Sequence, residues 1–336
     1  MESTSAFDIH WLTTRDDLRL RLVRWHSESS PERRSLICTG RNEPIDKYHE
    51  VARSLLARGF EVWGMDWRGQ GGSDRELTRP QHGYVRTFDS YLADLTQVVD
   101  GPLKGRVGLL VAHSMGGHVA LRFAHDRPLA LGALVLSAPM IAIDTGALPG
   151  SAIAWLARTA RWIGLSGSHL PGHHDLMQRA ARFEKNPLTS DRAKFDQNVA
   201  FLRRHPELVT GGATWGWLAA AADSMAAAQE RGFAEAITTP TLLLSGEEDR
   251  VVSGRAQKTY AHRMPHATLF VVAGARHEIL VETDERLAEV WAAIDRFLKA
   301  VSAEPGGKSG LQRFAKPGAA VSAPKPRLHN ELDHDA

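Results

Sequence analysis

One serine in this chain stands where a nucleophile would need to stand. It is Ser114, in the run Leu109-Leu110-Val111-Ala112-His113-Ser114-Met115-Gly116-Gly117-His118-Val119-Ala120. An apolar stretch stops at the serine, glycines follow, and a helix-prone stretch begins. This is the sequence form of a nucleophile elbow, a sharp strand-to-helix turn that lifts a hydroxyl out of the fold. Such a turn crowds the backbone, so the positions two before and two after the serine must be small. They are Ala112 and Gly116, where the usual pattern has glycine at both. A serine here also stands at a helix N-terminus, where free N–H groups and the helix dipole favour developing negative charge.

A serine nucleophile needs a base, and the base needs an orienting acid. On strand-turn-helix architectures of this kind the chain order is serine, acid, histidine. The run Pro240-Thr241-Leu242-Leu243-Leu244-Ser245-Gly246 reads as a buried strand ending in a turn, followed by Glu247, Glu248 and Asp249. A second apolar run, 268–272, ends in Ala273-Gly274-Ala275-Arg276-His277. Both put a polar catalytic type just past a strand end, where open α/β sheets gather their chemistry. Asp249 is the expected acid, because Glu247 and Glu248 lie too close to the strand end to turn a carboxylate sideways. His277 is the expected base. His113 and His118 flank the serine, but a base has to approach from another loop. The remaining requirement is an oxyanion hole of backbone N–H groups. The N–H of Met115 is one expected donor. The N–H of Arg41, after Gly40 at the end of an early strand, is the second.

These residues, taken together, resemble the monoacylglycerol lipase and lysophospholipase branch of the α/β-hydrolases, a serine-aminopeptidase-like family, with its bacterial lysophospholipase members nearest. The resemblance is carried by Thr39-Gly40-Arg41-Asn42-Glu43 with Lys47-Tyr48; by Asp66-Trp67-Arg68-Gly69-Gln70-Gly71-Gly72-Ser73-Asp74; by the elbow; by Asn186-Pro187-Leu188-Thr189-Ser190-Asp191; by Gly211-Gly212 with Thr214-Trp215-Gly216-Trp217; and by Ser245-Gly246-Glu247-Glu248-Asp249. It runs from about residue 8 to 300. Animal-type monoacylglycerol lipases carry His-Gly where this chain has Thr39-Gly40, which favours the lysophospholipase-like side. The resemblance implies Ser114, Asp249 and His277 as the triad, with Arg41 and Met115 as backbone donors.

The elements that must position these residues alternate strand and helix, the pattern of a mostly parallel sheet covered by helices on both faces. An antiparallel hairpin is predicted within 8–25, turning at Arg15-Asp16-Asp17. Strand 35–39, helix 46–58 and strand 60–65 follow, then helix 88–100, strand 106–112, helix 115–125 and strand 133–137. The alternation stops over 140–235 and resumes with strand 240–245, helix 254–264, strand 268–272 and helix 282–301. The expected organisation is therefore an α/β-hydrolase core in two parts, 1–139 and 236–301, an inserted helical cap over 140–235, and a disordered tail over 302–336. The tail is rich in Pro, Gly, Ala and Ser and mixes basic with acidic side chains, a composition that buries little surface.

The interruption holds the candidate substrate-pocket residues. A helix over 151–164 carries Ile153, Leu156, Ala157 and Ala160 on one stripe and Trp155 and Trp162 on another, with Arg158 and Arg161 beside them. Aromatic rings next to arginines suit acyl chains and anionic headgroups. Trp215 and Trp217 are the other two candidates.

Composition excludes several classes of function. The 336 residues carry a net charge of +2, too little for the basic field that nucleic acid demands. His173-His174-Asp175 lacks a third ligand at useful spacing, so no metal is expected. Gly69-Gln70-Gly71-Gly72 lacks the Lys-Ser/Thr of a phosphate loop and reads as a tight turn beneath the site, held by Asp66 and Arg68. The single cysteine, Cys38, has no internal partner, in keeping with a reducing compartment. The polar N-terminus carries no secretion segment. These features give an expected cytoplasmic location, with peripheral contact at the inner face of a membrane. The expected activity is cofactor-free hydrolysis of a single-acyl-chain ester, a lysophospholipid or monoacylglycerol. The alternatives are another serine-dependent substrate class, such as small esters or peptides, and a non-catalytic binding protein. Oligomeric state is open.

Overall fold

The computed structural model describes residues 7–26, 33–77, 82–146, 148–171 and 182–303. His173, His174 and Asp175 lie outside these residues, as does the tail beyond 303. Eight strands form one sheet: β1 (Phe7–Thr13), β2 (Arg19–Trp25), β3 (Arg33–Cys38), β4 (Phe60–Met65), β5 (Val107–His113), β6 (Leu131–Ser137), β7 (Thr241–Gly246) and β8 (Ala267–Val272). Their spatial order is β1-β2-β4-β3-β5-β6-β7-β8. β2 pairs antiparallel with both β1 and β4, and every other pairing is parallel. The predicted α/β-hydrolase architecture is the one observed.

The central strands are apolar throughout, not alternating, because helices cover both faces of the sheet. All seven residues of β5 and all seven of β6 are buried. The covering helices are α1 (His49–Leu56), α2 (Phe88–Asp100), α3 (Ser114–Asp126), α7 (Gly254–Arg263) and α8 (Asp284–Ala303). The helix predicted over 46–58 is divided into a short 3₁₀ turn, Ile45–Tyr48, and α1. It ends before Gly59, whose φ of +75° stops helical winding. β3 starts earlier than predicted, at Arg33. Its two arginines stay in the strand because they pair in register with Phe60 and Glu61, and Arg34 Nε donates to Glu61 at 3.2 Å.

Among the described residues three α-helices lie between β6 and β7: α4 (Gly150–Trp162), α5 (Arg192–Arg204) and α6 (Trp215–Gln229). Side chains start two of them. Asp191 accepts from the N–H of Lys194, and Thr214 accepts from the N–H of Trp217, satisfying donors that a first helical turn leaves free. Asp223 of α6 pairs with Arg158 and Arg161 of α4. Among the described residues no helix is long and apolar enough to cross a membrane.

Candidate active site

Because β3, β5, β7 and β8 run parallel, their C-terminal ends meet at one edge of the sheet, and each delivers one part of the site. β5 delivers Ser114. Its φ is +51°, a left-handed conformation that costs a non-glycine residue free energy and persists only when its surroundings enforce it. The enforcement is visible next door. A Cβ on Gly116 would lie 2.4 Å from the Thr39 carbonyl oxygen, and one on Gly117 would lie 2.9 Å from Pro139. α3 can therefore start directly against β3 and the chain leaving β6 only because both positions lack a side chain. The Ser114 carbonyl accepts from the N–H of Met140, which ties the turn to the segment leaving β6.

The loop after β8 brings His277 to the serine. Its Nε2 lies 2.9 Å from Ser114 Oγ, and its Nδ1 lies 2.8 Å from Asp249 Oδ2. A carboxylate can only accept, so Nδ1 carries the proton and Nε2 is free to accept from the serine hydroxyl. The Asp249 side chain is buried. Burial raises its affinity for a proton, but the His277 hydrogen bond and the N–H groups of Val251 and Val252 outweigh this and hold it below the ordinary carboxylate range. Close packing sets the spacing: a Cβ on Gly246, at the end of β7, would lie 2.4 Å from the Arg276 carbonyl oxygen. Glu247 does not turn inward; it accepts from the N–H of Gly274.

The loop after β3 lies beside the elbow. The N–H of Gly40 donates to Glu43 at 2.8 Å, and the N–H of Asn42 donates to Gln70. Arg41, whose N–H is an expected oxyanion donor, sits between them. Gln70 belongs to the glycine-rich turn, and its Nε2 approaches the sulfur of Met115 at 3.6 Å. Asp66 holds this turn as expected, accepting from the N–H of Gly72 and from Arg21. Arg68 holds something else: its guanidinium reaches Asp94 on α2 and Asp16 at the β1–β2 turn.

His113, directly before the serine, donates from Nδ1 to the Ser137 carbonyl at 3.0 Å, and its ring centroid is 4.7 Å from that of His277. Burial pushes its pKa down to about 4, against the opposing pull of Glu43, so it is neutral at neutral pH. His118 packs under α6 with Nε2 at 2.7 Å from Ser224 Oγ.

One segment that carries the resemblance has a role in the site that sequence reasoning did not find. The segment 186–190, from the helical insertion, grips the histidine loop. The Pro187 and Leu188 carbonyls accept from the N–H groups of His277 and Glu278. The buried Glu282 carboxylate accepts from the N–H of Arg276 and from the N–H and hydroxyl of Ser190. A usable signal was present: Glu282 directly follows the apolar run Ile279-Leu280-Val281, where a lone carboxylate needs a buried partner.

The four tryptophans divide. Trp217 is buried, with the Arg41 guanidinium 5.1 Å from its ring centroid, and Trp215 is half-buried at the start of α6. Trp155 and Trp162 are 64% and 86% exposed. As pocket-lining residues these two are corrected: Ala157 and Ala160 form the buried face of α4, and the tryptophans project from the opposite side into solvent.

Comparison with known proteins gives a consistent answer. The model of the family described as serine aminopeptidase, S33, matches residues 29–284. Lysophospholipase L2 of Escherichia coli K12 is 32% identical over 320 residues, covering 88% of each chain. Monoacylglycerol lipase of Mycolicibacterium smegmatis is 23% identical over 270 residues, covering 78% of this chain and 87% of the relative. A solved structure of a soluble variant of monoglyceride lipase from Saccharomyces cerevisiae superimposes with a TM-score of 0.70 at 19% identity, covering 89% of this chain and 97% of that one. This last likeness is one of fold.

Proposed function

The chain belongs to the serine aminopeptidase S33 family, and from that premise we propose that it is a serine hydrolase cleaving carboxylic esters of single-chain lipids, a lysophospholipid or a monoacylglycerol. The observation that carries the reading is the relay from Ser114 through His277 to Asp249, built on a serine held at a positive φ. Relatives named lysophospholipase and monoacylglycerol lipase support ester hydrolysis on lipids.

In the proposed mechanism Ser114 Oγ attacks the ester carbonyl carbon as its proton passes to His277 Nε2. The carbonyl π electrons move onto oxygen, and the N–H groups of Arg41 and Met115 stabilise that oxyanion. Collapse re-forms the carbonyl and breaks the bond to the alkoxy oxygen, which takes the proton from His277 and leaves as the alcohol. Water then attacks the acyl-serine carbonyl, giving its proton to His277. The second collapse releases the fatty acid and returns the proton to Ser114. Asp249 keeps the His277 tautomer and stabilises the imidazolium in both halves. The reaction draws on side chains and backbone alone.

The helices between β6 and β7 act in this reading as a cap over 140–235 that shields the acyl-serine and shapes the acyl site. Trp155 and Trp162, with Arg158 and Arg161 beside them, form in this reading a surface that meets the lipid–water interface, and Trp215 and Trp217 are the proposed pocket residues. The test is a panel of acyl esters: lysophospholipids, monoacylglycerols and soluble esters of graded chain length. Rates should rise with chain length. A preference for acetyl esters over every longer chain contradicts the lipid reading, and cleavage of peptides in place of esters contradicts the ester assignment.

A further inference from the structure

Among the described residues, Arg41 is a cation set into the site loop without an anion. Its Nη2 donates to the Gly211 carbonyl at 2.8 Å and its guanidinium rests on Trp217, but no carboxylate pairs with it among the described residues. Among the described residues its buried Nε has no hydrogen-bond partner. Thr210 stands beside it. A Cβ on Gly83 would lie 2.8 Å from Arg41 Nη2 and 3.2 Å from the Thr210 methyl. Thr210 is fully buried, and its hydroxyl also lacks a partner among the described residues. Leaving buried donors unmet is costly unless a ligand meets them. Burial already drags the Arg41 pKa down to about 10, the expected response of a cation that has lost water without gaining an anion.

We propose that Arg41 and Thr210 form an anion subsite for the phosphate of a single-chain glycerophospholipid, and so set the preference of the site for a lysophospholipid over a neutral monoacylglycerol. This rests on the ester-hydrolase reading above. The position fits: Arg41 follows Gly40 in the loop beside Ser114, and in a lysophospholipid only the glycerol backbone separates the ester from the phosphate. The chemistry fits as well, since guanidinium donors match phosphate oxygens and form charge-assisted hydrogen bonds. The Gly211 carbonyl and the Trp217 ring hold the guanidinium in one orientation, so little freedom is left to lose on binding.

The experiment measures kcat and KM for a lysophosphatidylglycerol and a monoacylglycerol of the same chain length, with the wild type, Arg41→Gln, Arg41→Lys and Thr210→Val. The ratio of the two kcat/KM values should fall about tenfold to a hundredfold in Arg41→Gln, mostly through KM for the phospholipid. Arg41→Lys should restore part of it, and Thr210→Val should lose several-fold. Equal losses on both substrates would make Arg41 a brace for the loop and overturn the proposal. So would a wild type that cleaves the monoacylglycerol and spares the phospholipid. A binding readout separates this from failure of the activity itself: sn-glycerol 3-phosphate should raise the Tm of the wild type and not of Arg41→Gln, even if neither lipid is cleaved. No shift in the wild type overturns the subsite. A shift with inorganic phosphate alone, without a change in the substrate ratio, would assign the site to free phosphate and overturn the headgroup.

Discussion

β5 and α4 are both rich in apolar residues, and they use them in opposite ways. All seven residues of β5 are buried, whereas only Ala157 and Ala160 of the thirteen in α4 are. β5 spends its apolar surface on fixing Ser114 in a strained turn, where a misplacement of an ångström would be felt in rate. α4 turns Trp155 and Trp162 outward, where large rings add nothing to the core. A rigid sheet edge suits chemistry that must be the same for every ester, and an apolar outer helix suits the choice of which ester arrives. If this division holds, changes at the sheet edge should act on turnover and changes on α4 on access to lipid.

The sharpest way to break the comparison is at the relay. Ser114→Ala should lower kcat by about 10⁴-fold or more, and Asp249→Asn by about 10⁴-fold through loss of the required tautomer. Steady-state rates on one soluble ester check both. Gly116→Ala comes next. A new Cβ 2.4 Å from a backbone oxygen forces α3 away from β3, and the expected cost is about 1–3 kcal/mol, read as a fall in Tm together with a loss of labelling at Ser114. On the other side of the comparison, Trp155→Ser with Trp162→Ser should weaken partition onto anionic vesicles several-fold, with a smaller change in the rate on a soluble short-chain ester. Co-sedimentation with vesicles measures it, and unchanged binding would leave the outward tryptophans without a role.

A last effect concerns pH and acts on stability, not on turnover. Burial lowers the His118 pKa to about 3 and the His113 pKa to about 4, against about 6.5 in an unfolded chain. Below pH 6.5 the unfolded state takes up protons that the native state refuses. Stability should therefore decline as the solution is acidified from pH 6.5 toward 4, by about 1.4 kcal/mol per pH unit for each histidine. His118→Gln keeps a polar group within reach of Ser224 and should flatten that slope by one histidine's share in urea titrations.

Much of this was legible in the sequence because it depends on local pattern. The elbow needs an apolar strand, a serine and small neighbours, and Ala112 and Gly116 can be read directly. The positions of Asp249 and His277 follow from two strand ends, and the structure brings both to Ser114. What could not be read depends on contacts between distant segments. The grip of residues 186–190 on the histidine loop joins parts of the chain about ninety residues apart, as in the Ser190–Glu282 hydrogen bond. The role of Arg68 is hidden for the same reason: its partner Asp94 lies 26 residues away, on α2. The outward tryptophans were misplaced because helical spacing defines two stripes on α4 without saying which one meets the body. Only the buried Ala157 and Ala160 decide it.

The central claim is that Ser114 is an activated nucleophile, and labelling by a fluorophosphonate probe tests it most directly. The wild-type chain should label rapidly, Ser114→Ala should not label at all, and His277→Ala should label far more slowly. A folded wild type that fails to label, or labelling that survives in Ser114→Ala, would contradict the account.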